Sequence, residues 1–249
     1  MTRATRILSA TGGAIAILTL AVPAQAFDLA IDTGGGTRGA GPLEIAGLLT
    51  LITLAPAVLI MLTSFTRIVI VLSLMRQALG LQQTPPNIVI NGLALFLTML
   101  VMAPTWQLVQ RAAVDPYMAG KITAADAVTQ AENPLREFML RQTRAEDVEM
   151  AYGLLDKNGV HPATRDPRAL PFYALVPAFI ASELTSAFRV GFLIYLPFLV
   201  IDLITSAVLM ALGMFMLPPA IISIPLKLLI FVLASGWPVL LGNLAASFA

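Results

Sequence analysis

The chain has 249 residues, of which 58% are hydrophobic and only 12% charged, about half the charged share of an ordinary soluble domain. So few charges cannot cover a water-soluble globule of this size, which leaves lipid or other apolar subunits as its solvent. The formal net charge of +1 gives no footprint for nucleic acid, and the absence of Cys removes disulfides, thiolate catalysis and Cys-ligated metals.

The leader comes first. Arg3 and Arg6 precede an apolar stretch, Ile7 to Val22, and Pro23-Ala24-Gln25-Ala26 supplies small residues at A-x-A spacing. Residues 1–26 therefore read as a secretory signal cleaved after Ala26, against the alternative of an uncleaved first transmembrane helix. Residues 27–42 are Gly-rich and read as a flexible exported N-terminus.

The first hydrophobic block, 43–110, carries three charges: Glu44, Arg67 and Arg76. It holds two runs of membrane-spanning length, Leu43–Phe65 and Asn87–Val109. Thr66–Pro86 between them carries Arg67 and Arg76 and no acid, which marks a short cytoplasmic connection.

The polar insert, 111–170, holds 17 of the 29 charged residues. Thr123 with Asp126, and Thr143 with Glu146, have capping-box spacing. Leu135, Phe138 and Met139 share one helical face, and Glu137 lies four residues before Arg141. Val148, Ala151, Tyr152 and Leu155 repeat the apolar spacing before Asn158-Gly159 stops the helix. The insert reads as periplasmic, either a solvated helical hairpin or a docking surface.

The second hydrophobic block, 171–249, has four charges, Glu183, Arg189, Asp202 and Lys227, and two long runs, Val190–Leu217 and Ala220–Phe248. Alternating spans place 66–86 in the cytoplasm, and both 111–170 and the C-terminus outside. Charges such as Arg67, Glu183, Arg189, Asp202 and Lys227 are costly in lipid. Pro56, Pro104, Pro177, Pro197, Pro218, Pro219, Pro225 and Pro238 free backbone groups that lipid cannot satisfy. Two readings fit: kinked transmembrane helices in a small bundle, or a chain covered by neighbouring subunits. Intersubunit ion pairs of the acids with Arg189 or Lys227 use these charges more economically than a proton relay. Met210, Met214, Phe215 and Met216 cluster before Pro218-Pro219, as core filler or as a deformable apolar seal at a pore constriction.

Catalysis has little support. There is no G-x-S-x-G, H-E-x-x-H or P-loop, and the single His161 sits in a polar turn, so neither an enzyme nor a cofactor is expected.

Several long motifs then stand in register. They include Leu54-Ala55-Pro56-Ala57, the run from Met61 to Ile68, Leu74-Met75-Arg76-Gln77-Ala78-Leu79-Gly80 and Thr84-Pro85-Pro86-Asn87. They continue at Pro134 to Arg144, Pro177-Ala178-Phe179, Ser182-Glu183-Leu184, Pro197 to Leu203, and Met210 to Pro219. In this series, residues 43–249 resemble the FliP family of the flagellar type III export gate. The resemblance implies an all-α membrane-associated protein of long kinked helical hairpins, with about four hydrophobic helical segments plus the polar insert. Such chains would assemble as a pentamer into a closed, pseudo-helical ring with FliQ and FliR sister subunits. The ring would form the entry pore for unfolded flagellar subunits. It would sit in the bacterial inner membrane at the flagellar basal body, beside other export-gate membrane proteins, with a large part on the periplasmic side.

By position, the family's methionine-rich gasket falls on Met214, Phe215 and Met216, with Met210 about one turn earlier. Phe215 stands where many relatives have Met. Glu183 and Lys227 match positions suited to an ion pair between copies, and Phe138 matches a position implicated in assembly. Arg67, Arg189 and Asp202 remain as further buried charges. The rival classes are a small-solute or ion transporter of the inner membrane and an assembly scaffold that lines no pore.

Overall fold

Prolines and isolated charges do not interrupt the longest helices of this chain. In the computed structural model, residues 49, 50, 53, 60–162 and 164–248 are described, and all regular structure among them is helical. The chain divides into Met1–Ile52 and Thr53–Ala249, and the account below concerns the second unit. The expected cleavage after Ala26, the leader 1–26 and the segment 27–42 lie outside the described residues, as does most of Leu43–Phe65.

From Phe65 onward, the described residues form seven helices of more than ten residues: α1 (Phe65–Ala78), α2 (Asn87–Val109), α3 (Ala124–Gln142), α4 (Ala145–Lys157), α5 (Phe172–Ala211), α6 (Ala220–Leu233) and α7 (Gly236–Ala246). A π-helical turn, Gln110–Val114, and an α turn, Asp115–Met118, extend α2 without a break. The continuous rod Asn87–Met118 is long and apolar enough to cross a membrane, and so is α5. At 40 residues, α5 is about 60 Å long, roughly twice the hydrocarbon thickness.

Helix α5 is the spine. It packs most extensively along α1, and also on α3, α4 and α6. The apolar core divides into three clusters strung along it. One joins Phe179 and Leu175 of α5 to Phe138, Met139 and Tyr152 of the insert. A second joins Ala187 to Ile68, Val71 and Leu72 of α1 and to Leu244 of α7. The third joins Phe198 to Met75 and Phe231. The α1–α5 approach depends on Gly191, where an added Cβ would collide with the Leu74 side chain and lie 3.1 Å from its Cβ.

The two insert helices, α3 and α4, each pack against α5. The capping box at α3 is present: Thr123 Oγ1 accepts from the Asp126 amide at 3.2 Å, and the Asp126 carboxylate accepts from the Thr123 amide at 3.3 Å. Leu135, Phe138, Met139, Val148, Ala151, Tyr152 and Leu155 are all buried. Helix α4 ends in a Schellman turn at Gly159, with φ 76°, where the Val160 amide donates to the Leu155 carbonyl at 3.0 Å. The Tyr152 hydroxyl donates to the Asp166 carbonyl at 2.6 Å, so the following strand of chain is tied back to α4. Burial, with Asp166 nearby, holds that phenol above its ordinary pKa.

Several expectations change. Thr66–Pro86 is not a loop: most of it is α1, and Ile68, Val71 and Leu72 have no exposed surface. The second block's first helix begins at Phe172, well before Val190, because Glu183 is neutralised inside the protein. Ala220–Phe248 is broken, with α6 and α7 bent by 65° at Ser235, which takes a left-handed φ of 51°. Thr143 caps no helix start. It closes α3, its hydroxyl donating to the Met139 carbonyl at 2.7 Å, and Arg144 stands at the N-cap of α4. On α3 the i,i+4 ion pair among the described residues is Glu132 with Arg136, not Glu137 with Arg141.

Gly191→Ala should lower the unfolding free energy by about 1–3 kcal/mol through overpacking, although Ala is the better helix former. In a Leu74→Ala background the same change should become neutral or stabilising. Thermal unfolding of the four variants in detergent gives the coupling directly.

Hydrogen bonding to Thr123 holds the Asp126 carboxyl below its ordinary pKa. Its contribution is therefore present above the unfolded-state pKa of about 4 and lost as pH falls through the lower folded value. Protection factors of the first-turn amides of α3 should fall in that acid range, and Thr123→Ala should remove the pH dependence.

Candidate functional site

Arg67 lies in the first turn of α1, where the helix dipole disfavours a cation. Its position is set by Glu183 of α5, whose carboxylate has 0% exposure. Arg67 Nε donates to Glu183 Oε2 at 2.9 Å, and Arg67 Nη2 donates to Glu183 Oε1. This two-pronged fork is the strongest form of a buried ion pair.

The remaining guanidinium protons reach two other elements. Arg67 Nη2 also donates to Gln142 Oε1 at 3.1 Å, at the end of α3. Arg67 Nη1 donates to the carbonyl and the hydroxyl of Ser247, each at 3.4 Å, just past α7. The Phe248 ring lies 4.1 Å from the guanidinium carbon, a cation–π contact. Gln142 Nε2 in turn donates to the Phe248 carbonyl at 3.3 Å. Beside Glu183, Ser182 Oγ donates to the Gln142 carbonyl at 3.1 Å and accepts from the Arg144 amide at 3.0 Å. One cation thus fixes α1, α3, α5 and the segment after α7.

A second buried cation sits further along α5. Lys227 Nζ of α6 donates to Asp202 Oδ2 at 2.6 Å and to the Ala78 carbonyl at 3.1 Å. Ala78 ends α1, where carbonyls lack intrahelical partners and the dipole attracts a positive charge. Lys227 therefore joins α1, α5 and α6.

The pair expected between copies, Glu183 with Lys227, gives way within the single chain to two internal pairs. Glu183 already accepts both prongs of Arg67, and neither it nor Lys227 has surface left for an outside partner. Asp202 is half-buried. Arg189 is the exception: it is exposed on α5 and has no ion-pair partner among the described residues. Sequence reading missed Gln142, Ser182 and Ser247, because neutral polar residues carry no signal of what they support. A charge count offered some warning. The two apolar blocks hold more cations than acids, so at most two could be neutralised by acids of these same blocks beyond Glu44.

The methionine cluster occupies the turn between α5 and α6. Gly213, with φ 76°, closes α5 in a Schellman turn, the Met214 amide donating to the Leu209 carbonyl at 2.9 Å. Pro219 then caps α6. Met210 and Met214 are exposed, Phe215 is 78% exposed and Met216 is 96% exposed. None of the four fills the core of the single chain. Phe138, by contrast, is 3% exposed and packs edge-on to Phe179, with ring centroids 6.0 Å apart. It holds the insert to α5. Among the described residues no group of three or more His, Cys, Asp or Glu could hold a metal ion.

Comparison with known proteins agrees with this architecture. The FliP family model matches residues 48–244. The flagellar biosynthetic protein FliP of Pectobacterium carotovorum subsp. carotovorum is 49% identical, over 86% of this chain and 81% of the relative. That of Cereibacter sphaeroides is 44% identical over 99% of this chain and 82% of the relative. The Bacillus subtilis protein is 47% identical over 81% and 89% respectively.

Breaking the Arg67–Glu183 pair from one side should cost about 3–5 kcal/mol, because an uncompensated buried charge remains. Glu183→Gln and Arg67→Met should each abolish stable accumulation. The double variant should recover part of the loss, read as folded yield and thermal midpoint. Additive losses would show that the two groups do not act as a pair.

Proposed function

The chain belongs to the FliP family, whose relatives named above are flagellar biosynthetic proteins, and we propose that it is a pore-forming core subunit of the flagellar protein export gate. In this reading it assembles as a homo-oligomer with FliQ and FliR sister subunits in the bacterial inner membrane. The insert faces the periplasm, and unfolded flagellar subunits pass through the ring without covalent chemistry.

One observation carries the reading: an exposed, methionine-bearing turn at the junction of the 40-residue α5 and the apolar α6. Three exposed methionines and a phenylalanine in water have no use to a single chain. Arranged around an axis by several copies, they make a soft apolar constriction that excludes water, and thioether chains can give way to a passing polypeptide. The outward faces of α2, α5 and α6 support assembly in the same way. Phe96, Leu100, Phe192, Leu203 and Leu233 are each more than half exposed. Such surface needs lipid or neighbouring subunits.

A small-solute transporter fits less well. It needs unpaired polar groups converging on a cavity between its helices. The buried charges here are satisfied by one another and by helix ends.

Replacing Met210, Met214 and Met216 together with Ala should raise small-ion leakage through the assembled gate several-fold, while folding is retained because none of them is in the core. Conductance across inner-membrane vesicles holding the assembled complex measures it. Unchanged leakage in a complex held open would remove the gasket role.

A further inference from the structure

In a chain without Cys, the thioether sulfurs of methionine are the groups most open to two-electron oxidants. Their surroundings differ sharply. Met75, Met102 and Met139 are buried in the apolar clusters along α5. Met118 and Met150 are exposed singly in the insert. At the turn between α5 and α6, Met210, Met214 and Met216 are exposed together. Met214, Phe215 and Met216 line an open hollow of about 350 Å³ with Gly213 and Leu217. The backbone of the turn does not depend on these side chains. The Gly213 amide donates to the Met210 carbonyl at 3.0 Å and the Met214 amide to the Leu209 carbonyl at 2.9 Å, and Pro219 caps α6. A chemical change at the three sulfurs therefore leaves the fold in place and acts on whatever the turn touches.

On the reading of this turn as a gasket, we propose that Met210, Met214 and Met216 form a reversible oxidation site for peroxides, and that their sulfoxides let water and ions into the constriction. A sulfur lone pair attacks one oxygen of hydrogen peroxide, the O–O bond breaks, and that oxygen stays on sulfur. The sulfur is oxidised by two electrons, and the other oxygen leaves as water. The thioether is a weak hydrogen-bond acceptor, whereas the sulfoxide is polar and binds water. A constriction that gates by excluding water depends on its lining staying apolar. Hydrogen peroxide is neutral and small, so a barrier to ions does not bar it from the turn. The buried Met75, Met102 and Met139 are shielded, so a dose that modifies the turn spares the core. Phe215 has no thioether and keeps one apolar side chain in the turn of every copy. Methionine sulfoxide reductases reverse the step: the sulfoxide oxygen leaves as water while two thiols become a disulfide.

The test uses the full chain in its assembled complex, in inner-membrane vesicles treated with hydrogen peroxide and then cleared of it by catalase. Peptide mass mapping should find sulfoxide at Met210, Met214 and Met216 about tenfold above that at Met75, Met102 and Met139. Small-ion leakage should rise several-fold, and methionine sulfoxide reductases A and B with dithiothreitol should return it to the untreated level. In a chain carrying Met210→Leu, Met214→Leu and Met216→Leu, whatever its resting leakage, peroxide should add none, since leucine offers no sulfur. Met118→Leu with Met150→Leu should leave the peroxide response as it is in the native complex. A cluster that stays unoxidised, or an oxidised complex whose leakage does not change, overturns the proposal. In the second case the alanine variant described above separates the two readings: raised leakage there keeps the gasket and removes only its control by oxidation, whereas unchanged leakage removes both.

Discussion

A charge buried among apolar helices must be neutralised within the protein, and the Arg67–Glu183 pair is where this chain meets that constraint. Glu183 has no exposed surface, so its ionised form depends on Arg67, and Arg67 in turn depends on Glu183 to sit in the first turn of α1. The pair is expensive to desolvate and adds little net stability over an apolar substitute. What it supplies is geometry. A planar fork accepts its carboxylate in one arrangement, and the spare protons of Arg67 reach only groups placed at the end of α3 and past α7. The polar insert, the first helix and the C-terminal helix are thereby referred to one point on α5.

The same constraint explains where sequence reading stops. The start of α2 at Asn87 was legible, because a long apolar run follows Pro86, but its end was not: the helix runs on past the polar Gln110 to Met118. The insert was legible because caps, a 3.6-residue apolar repeat and Asn158-Gly159 are all local signals. Helices α1 and α5 were misjudged for a shared reason. Arg67 looked like a loop residue, and Glu183 with Arg189 looked like the edge of a span, since hydropathy scores each charge as if it stood alone. Their pairing spans 116 residues of sequence, and no local pattern announces it. The bend between α6 and α7 was hidden for the opposite reason: Ser235 in a left-handed conformation leaves no mark on an apolar run.

The methionine cluster shows a different limit. The Met cluster could be read equally as core or as surface from composition, because methionine serves both. What separates the two is the Schellman turn at Gly213, which ends α5 and throws Met214, Phe215 and Met216 outside the packed helices. That turn is set by a glycine that tolerates φ of 76° followed by a proline pair that cannot continue α5. The exposure of the cluster is therefore built by backbone chemistry rather than by lack of room in the core.

Polar and apolar groups are thus treated in opposite ways. Glu183, Arg67, Lys227 and Asp202 are matched inside the chain, so assembly need not provide for them. Apolar side chains along α2, α5, α6 and the Met turn are left open to an unusual extent. A chain built this way can fold by itself, because its costly charges are already neutralised. It must then be covered, because its apolar surface is not. Covering by apolar contact alone is non-directional, so any directionality in what covers it has to come from shape: the length of α5, the bend at Ser235 and the proline-framed turn.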